Sequence, residues 1–219
     1  MEAPWPRLSR GPFVTVEGLD FSGKSTLVRN LKTLLSDLDP PAFFTREPGG
    51  TPAAECIREL LLDPELDMDP WTEAYLYAAA RADLVRGSIL PRLETGRVVV
   101  CERFLDSSLA YQGVGRGLGV AAVRELNARA IGDVVPDATF YLRLSPGERT
   151  RRGRESGAML DRIETAGDDF MKRVEEGFEE LARSEPDRIR VLDASLPPER
   201  LAEAVRIEIL SLQDGNEDV

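Results

Sequence analysis

The stretch PFVTVEGLDFSGKST at residues 12–26 decides the fold. Its first part, PFVTVEG (12–18), is a short apolar run rich in β-branched residues, which is typical of a buried β-strand. Gly18–Ser25 then fits the pattern G-x-x-x-x-G-K-S/T, and a helical pattern starts at residue 24. Such a loop holds phosphates, because its backbone N–H groups surround an anion at the positive end of a helix. The stretch therefore predicts a P-loop that binds a nucleoside triphosphate, most simply ATP.

The remainder of the chain repeats this alternation of strand and helix. Apolar runs predict five strands at 12–18, 42–47, 97–102, 138–144 and 188–193. Helical patterns cover 24–37, 51–62, 70–94, 105–111, 120–131, 146–155, 167–184 and 198–212. Apolar strands separated by helices predict an α/β fold, a P-loop NTPase-type parallel sheet of about five strands flanked by helices. We expect one domain over 1–219, with an irregular lead-in at 1–11 and a tail at 213–219.

Composition excludes several classes of function. The chain has a net charge of −11 and no histidine, which rules out Ser-His-Asp and Cys-His sites and histidine-bound metals. An acidic chain without a basic block is a poor candidate for binding nucleic acid. No apolar run is long enough for a membrane span, and the N-terminus does not have the apolar core of a secretory signal. Cys56 and Cys101 lie in apolar segments and are predicted to be reduced structural thiols, which fits a cytoplasmic protein.

The P-loop by itself leaves the class of nucleotide-binding protein open. Lys24 can reach the β- and γ-phosphates of ATP, and the hydroxyl of Ser25 can bind Mg²⁺. A GTPase would need a guanine-reading N-K-x-D motif, and the sequence contains none. A motor ATPase usually has more chain for a partner or a polymer. A small kinase is therefore the leading class.

Charged residues at two further strand ends indicate what such a kinase would phosphorylate. Glu102 ends the buried run VVVCE, at the position where a carboxylate holds the Mg²⁺ shell. Arg103 follows it and Arg46 ends another strand, and a guanidinium can grip a phosphate with two hydrogen bonds. Alternatively, Glu102 and Arg103 form a structural ion pair at the strand end and bind neither metal nor phosphate. A lysine and two arginines at one crevice favour a triphosphate that faces a monophosphate.

Arginines concentrate in RLSPGERTRRGRES (143–156). In so acidic a chain this cluster favours an anionic ligand, although a solvated helix face is the alternative. The segment 149–165 contains Gly153 and Gly157 and has the composition of a mobile lid that closes to exclude water.

Five motifs in order carry a resemblance to a known family: EGLDFSGKST, FTREPGGTP, YAAARADLV, CERFLDSSLAYQGVGRGLG and LDRIE. Together, over about residues 12–195, they closely resemble thymidylate kinase (dTMP kinase) of the bacterial kind. The resemblance implies transfer of the γ-phosphoryl of ATP to dTMP with Mg²⁺, by a protein that is usually a homodimer.

The resemblance also assigns residues to each substrate. The ATP and phosphate contacts are Gly18, Leu19, Asp20, Phe21, Ser22, Gly23, Lys24, Ser25, Thr26 and Arg162. The dTMP contacts are Asp20, Arg46, Pro48, Tyr77, Arg81, Arg103, Ser108, Tyr111 and Gln112. The metal would be held by Ser25 and Glu102, and the catalytic groups would be Lys24, Asp20, Arg103, Arg152 and Arg154.

Individual roles follow from the same resemblance. Asp20 matches the carboxylate near the deoxyribose 3′-OH, and Arg46 and Arg103 match the arginines that hold the dTMP phosphate. Tyr77 and Arg81 share a helix face four residues apart and match the residue that stacks on thymine and the arginine that bonds its O4. Ser108 and Gln112 resemble residues near the base, and Tyr111 resembles the residue that crowds the 2′ position. Arg162 would anchor the lid near the adenine or the phosphates.

Two positions depart from the usual family pattern. Glu102 stands where the family usually has an aspartate, and its longer side chain leaves room for a water between carboxylate and metal. Phe21 stands in the P-loop where some members carry an arginine, so the arginines at 152 and 154 are expected to meet the transferred phosphoryl. Two other functions stay open: a kinase of the same fold with another nucleoside monophosphate as acceptor, and a P-loop protein that binds nucleotide without turnover.

Overall fold

The computed structural model describes residues 10–157 and 161–217. Residues 1–9 of the expected lead-in, 158–160 of the expected lid and 218–219 of the expected tail lie outside this range. Five strands form one parallel sheet in the order β2-β3-β1-β4-β5. Their bounds are β1 Phe13–Glu17, β2 Phe43–Arg46, β3 Val99–Glu102, β4 Ala138–Arg143 and β5 Ile189–Asp193. The prediction of a five-stranded parallel α/β sheet is confirmed.

Helices connect the strands at the predicted places. The α-helices are α1 Lys24–Leu34, α2 Pro52–Leu62, α3 Pro70–Leu84, α4 Leu90–Leu93, α5 Leu105–Ser108, α6 Val120–Ile131, α7 Pro146–Ser156, α8 Asp168–Ser184 and α9 Pro198–Glu217. π-Helical segments follow α3 (Val85–Ile89) and α5 (Leu109–Gly115), and a 3₁₀ turn spans Glu164–Ala166. The helix predicted at 105–111 therefore continues to residue 115.

Several predicted boundaries are wrong. α1 ends at Leu34 rather than at residue 37, and Leu35 leaves the helical conformation with φ −109°. α9 continues to Glu217, so residues 213–217 of the expected tail are helical, and Leu210 and Leu212 earlier in this helix pack on the core. In the expected lead-in, Gly11 N–H donates to Leu93 O over 2.9 Å.

The core lies on both faces of the sheet, because alternate residues of each strand point to opposite sides. Phe13 of β1 packs with Phe104 and Phe178 on the face covered by α3 and α8. Val14 packs with Leu31 and other apolar residues on the face covered by α1 and α9. Each of these buried side chains stabilises the fold by roughly 1.5–3 kcal/mol relative to exposure. This core holds the carboxyl ends of β1, β2 and β3 side by side.

The two cysteines differ in their surroundings. Both are free thiols, and Cys101 is buried in β3 as predicted. Cys56 is also free, as predicted, but its side chain is exposed, so it is not a structural thiol. The reason is the direction of the α2 face, which turns Ala54 and Leu61 inward and leaves Cys56 outward. Within the described ranges, we find no helix that is long and apolar enough to cross a membrane.

Candidate active site

The P-loop joins β1 to α1 and has the backbone that phosphate binding requires. Gly18 has φ +140°, and a Cβ added there would lie 2.8 Å from the carbonyl oxygen of Leu142. Gly23 has φ +99° at the start of α1. Phe21 also has a positive φ, +64°, in the left-handed region that side chains other than glycine rarely adopt. These residues turn the loop around the N-terminus of α1.

Lys24 is buried beneath this loop. Its side chain is 5% exposed, and its Nζ donates to Leu19 O over 2.7 Å and lies 3.7 Å from Asp20 Oδ1. Burial, together with the positive charge of Arg103, lowers the pKa of Lys24 to about 8. An anion placed beside Nζ would raise this pKa again, because it would stabilise the charged form.

Arg103 lies opposite the P-loop, directly after β3. Its Nη1 donates to Gly18 O over 2.9 Å and its Nη2 donates to Asp20 Oδ1. Burial by itself would raise the pKa of Asp20, but the charges of Arg103 and Lys24 outweigh it and lower that pKa below its usual value. One carboxylate thus lies between two cations at the mouth of the P-loop.

Ser25 and Glu102 fit a magnesium ion. The Ser25 hydroxyl donates to Glu102 Oε1 over 2.8 Å, so two oxygen atoms that could bind a metal, one from α1 and one from β3, lie side by side. Mg²⁺ at nucleotide sites takes one or two protein oxygens and completes its shell with phosphates and water. The pair meets that requirement.

A half-open cavity of about 570 Å³ adjoins the P-loop. Eight residues that the sequence assigned to the acceptor line it: Asp20, Pro48, Tyr77, Arg81, Arg103, Ser108, Tyr111 and Gln112. Residues not predicted from the sequence also line it: Glu47, Arg58, Leu62, Phe104, Ser107, Asp161 and Ile163. The motifs after β2 and β3 and the middle of α3 therefore meet around one space.

Arg46 is the predicted acceptor residue that the structure does not bring to this cavity. Its side chain is 51% exposed, and its Nη2 donates to both carboxylate oxygens of Glu55 over 3.0 Å. Arg58 lines the cavity instead and donates to Pro48 O over 2.9 Å. The sequence does contain one signal for Arg58. It lies four residues from both Ala54 and Leu62 and therefore on the same face of α2. An arginine on an inward face needs a polar partner or a ligand.

Arg81 is fixed in the wall of the cavity. It is 1% exposed; its Nε and Nη2 donate to Glu47 over 2.8 and 2.6 Å, and Nη2 donates to Ser108 Oγ over 3.0 Å. Burial raises the pKa of Glu47, partly offset by Arg81. Glu47 was missed because its position in TREPGG shows only a charged residue near a strand end, whereas its role depends on a partner 34 residues away.

Tyr111 and Gln112 form one wall. The Tyr111 hydroxyl lies 3.5 Å from Asp20 Oδ2, and its ring makes edge contacts with Phe170 and Phe178 of α8. Gln112 Nε2 donates to the buried carboxylate of Glu73 over 2.8 Å. Both side chains are therefore held rigidly against the cavity.

The arginine-rich helix α7 lies over the P-loop. Arg152 donates to Glu148 and to Ala194 O, each over 2.9 Å, and its Nη1 would be 3.7 Å from a Cβ added to Gly23. Arg154 lines a wider space of about 1360 Å³ between α7 and the P-loop, together with Asp20 and Phe21. The predicted lid arginines 152 and 154 are thus near the phosphate loop.

Arg162 has a different position from the one expected. Its Nε donates to Leu61 O over 2.9 Å, and its Nη1 forms an ion pair with Glu73 at 2.8 Å. These partners lie beside the acceptor cavity, where the neighbours Asp161 and Ile163 form part of the lining. The structure therefore does not bring Arg162 to the P-loop.

A P-loop that faces an arginine-lined cavity across one shared aspartate defines a P-loop kinase with a small, negatively charged acceptor. Comparison with known proteins narrows this class. The profile of the family described as Thymidylate kinase matches residues 16–205. The chain belongs to the thymidylate kinase family, whose enzymes phosphorylate dTMP to dTDP with ATP.

Curated relatives and a solved structure agree with this assignment. The chain is 45% identical to a thymidylate kinase of Pelotomaculum thermopropionicum, over 92% of each chain. It is 47% identical to that of Symbiobacterium thermophilum, over 89% of this chain and 90% of the relative. The crystal structure of thymidylate kinase from Ehrlichia chaffeensis has a TM-score of 0.72 at 30% identity, covering 92% of this chain and 99% of that one. The fold, the family and the enzyme class predicted from the sequence are confirmed.

Glu17 should make the stability of the protein depend on pH. It is fully buried, and burial together with the charge of Asp106 raises its pKa from 4.5 to about 7. The folded state thus binds this proton more tightly than the unfolded state, and the resulting stabilisation is complete below about pH 4.5 and is lost as the pH rises through about 7.

We therefore expect Glu17→Gln to flatten the fall in stability between pH 5 and pH 7, by up to about 3 kcal/mol. Urea unfolding of the variant and the parent between pH 5 and pH 7 measures this difference. Subtracting one free energy of unfolding from the other removes the contribution of the groups that titrate in both proteins. Parallel stability curves for the variant and the parent would contradict the prediction.

Proposed function

We propose that the chain binds the phosphates of ATP on the P-loop and dTMP in the adjoining cavity, and that it transfers the γ-phosphoryl group directly between them. The observation that carries this proposal is the position of Asp20. Its side chain lines the acceptor cavity and also lies 3.7 Å from the P-loop lysine. The two substrate sites therefore meet at one carboxylate, which is the place where the donor and acceptor phosphates would approach each other.

The chemistry needs alignment and charge stabilisation rather than covalent participation by the protein. Lys24, buried beneath the P-loop, would neutralise part of the negative charge of the donor phosphates. Mg²⁺, held by Ser25 and Glu102, would supply a further charge that draws the phosphate oxygens together. The attacking oxygen of dTMP is already ionised, so the reaction needs no histidine base.

The acceptor would lie along the cavity with its base toward Arg81 and its phosphate toward Arg103. Tyr77 offers a face on which thymine can stack, and the Arg81 fork is held in place by Glu47 and Ser108. At the other end, Arg103 lies next to the P-loop, and Arg58 provides a second cation. Arg46 would contact the acceptor phosphate only after its ion pair with Glu55 is broken. Tyr111 would fill the space beside the sugar.

A dTMP-dependent ADP-release assay tests the proposal. We expect ATP turnover to require dTMP and to be slower with dUMP, dCMP and dGMP. A higher rate with one of those three would support the alternative acceptor, and ATP binding without turnover in the presence of any acceptor would support a binding-only protein.

Arg103→Ala should weaken the acceptor site selectively. The guanidinium would form charge-assisted hydrogen bonds with the dTMP phosphate, and losing such a contact costs about 1.5–3 kcal/mol. We expect kcat/KM for dTMP to fall roughly 10- to 100-fold while ATP binding changes little. Steady-state kinetics with each substrate varied in turn measures this, and an equal loss of ATP affinity would show that Arg103 serves the donor.

The apolar surface of the α2–α3 region supports a homodimer. Leu60, Trp71 and Tyr75 are 49%, 39% and 59% exposed. The centres of the Trp71 and Tyr75 rings are 6.2 Å apart. Large exposed apolar groups clustered in one region are typical of protein–protein contacts. We infer that this surface joins two copies of the chain.

Tyr75→Arg should shift the dimer toward monomer, because it places two desolvated charges in a self-complementary contact. We expect sedimentation at micromolar concentration to give twice the 24.2 kDa chain mass for the parent protein and the single mass for the variant. Ile207→Arg, an equally exposed apolar residue on α9, is the matched control and should leave the mass unchanged. A monomeric parent protein would rule out the dimer.

The single-domain organisation and the cytoplasmic location predicted from the sequence remain predictions. The lid predicted at about 149–165 also remains a prediction, and the position of α7 (Pro146–Ser156) over the P-loop supports its first part.

A further inference from the structure

Glu17 lies outside both substrate sites yet contacts the loop that carries Arg103. It is the last residue of β1 and has no exposed surface. Its Oε1 accepts from Phe104 N–H over 2.7 Å, and its Oε2 accepts from the Ser107 hydroxyl over 2.6 Å. The two oxygens of one carboxylate therefore hold two points of the segment that follows β3.

Both points follow a strained residue: Phe104 comes directly after it, and Ser107 comes four positions after it. Arg103 has φ +66°, a backbone conformation that costs energy for any residue other than glycine and persists only where neighbouring contacts impose it. Its own N–H donates to Val16 O over 2.9 Å, and the next N–H, that of Phe104, donates to Glu17. Two consecutive backbone groups are thus fixed to the end of β1.

The Arg103 side chain is connected to the same carboxylate through Ser107. Arg103 Nη1 donates to Ser107 Oγ over 3.2 Å, while Ser107 Oγ donates its own proton to Glu17. A carboxylate only accepts hydrogen bonds. It therefore takes the proton of the Ser107 hydroxyl and leaves the lone pairs of that oxygen for the guanidinium.

We propose that Glu17 is a positioning residue for phosphoryl transfer, which fixes the backbone and the guanidinium of Arg103 so that its fork faces the acceptor phosphate. This role rests on the proposed function, and Glu17 does not itself touch a substrate. The charges nearest to Glu17 fit the role: Arg103 is attracted to it, while Asp106 on the neighbouring helix repels it. A neutral glutamine of the same size would keep the volume but would place an N–H₂ group against one of the two donors.

Glu17→Gln, assayed at pH 8, tests the proposal. We expect kcat/KM for dTMP to fall roughly 10- to 100-fold, the range for losing a hydrogen bond to a charged group. The KM for ATP should stay within about twofold, because the P-loop contacts remain. Glu208→Gln, which removes an ion pair with Arg190 on the α9 surface, is the matched control and should change neither value.

The decisive measurement is a double-mutant cycle with Arg103→Ala. If Glu17 acts through Arg103, Glu17→Gln should cause no further loss of kcat/KM for dTMP in the Arg103→Ala background. A general structural role would lower kcat/KM for dTMP again by the full factor, and that outcome overturns the proposal. If Glu17→Gln does not fold, Ser107→Ala replaces it in the same double-mutant cycle, because this variant removes the hydrogen bonds that connect Glu17 to the Arg103 guanidinium.

The outcomes separate this inference from the function on which it rests. A wild-type chain without dTMP-dependent turnover would overturn both. A wild-type chain with that turnover, combined with an unchanged kcat/KM for dTMP in Glu17→Gln, would overturn the role of Glu17 alone.

Discussion

Lys24→Ala should lower kcat by more than a hundredfold. Lys24 Nζ lies under the P-loop, fixed by Leu19 O and near Asp20, where it would meet charge developing on the donor phosphates. Removing one such preorganised charge costs about 3 kcal/mol or more, and each 1.36 kcal/mol is a factor of ten in rate. Because the side chain is buried, water cannot fully replace it as a stabilising group. The ADP-release assay at saturating ATP and dTMP measures the effect.

The control for Lys24→Ala is a lysine of the same helix that has no phosphate to contact. Lys32 lies in the last turn of α1, with its Nζ 5.7 Å from the centre of the Phe44 ring. Lys32→Ala should keep near-normal turnover and test whether α1 tolerates the loss of a positive charge. If Lys24→Ala keeps more than a tenth of the parent kcat, the lysine does not have the role assigned to it.

Arg152→Ala and Arg154→Ala should each cut kcat strongly with little change in dTMP affinity. An arginine that reaches the transferred phosphoryl only in the closed state acts like an arginine finger in cis, which can be worth roughly 10³-fold. In the structure Arg152 donates to Glu148 and to Ala194 O, so lid closure would exchange these contacts for the phosphoryl oxygens. Single-turnover measurements separate this loss from substrate binding.

Arg151 offers a matched control on the same helix. It is 55% exposed and pairs with Glu148 and Glu155 on the outer side of α7, so Arg151→Ala should leave kcat nearly unchanged. Phe21→Arg should restore part of the rate lost in Arg152→Ala, because it places a guanidinium in the P-loop. Near-normal turnover in both single variants, 152 and 154, would mean that α7 only covers the site.

Local patterns were sufficient for the fold and for most of the acceptor cavity. The alternation of apolar runs with helical patterns predicted the five strands, because parallel strands covered on both faces have near-continuous apolar sequences. This holds best for β1, β3 and β4, whereas β2 and β5 at the edges of the sheet are partly exposed. The P-loop pattern placed Lys24 and Ser25, and the motifs after β3 placed Arg103, Ser108 and Tyr111. Their side chains meet because the carboxyl ends of parallel strands share one edge of the sheet.

Where an arginine points could not be predicted from its strand or helix alone. Arg46 and Arg162 are long cations whose direction depends on carboxylates elsewhere in the chain, Glu55 and Glu73. Arg58 reaches the cavity because α2 turns that face inward, which depends on how the helix packs. The buried Glu17 was missed for a similar reason, because its partners follow another strand and lie about 90 residues away.

The exposed Cys56 thiol gives the chain a native site for chemical labelling. The sequence has only two cysteines, and burial raises the pKa of the Cys101 thiol well above its usual value, so that thiol resists alkylation. Cys56 lies four residues before Leu60, on the same face of α2. A maleimide would therefore label one position per chain, next to the proposed dimer contact. Its rate of attachment should rise on dilution as that contact opens, so the native chain can report its own assembly without an introduced cysteine.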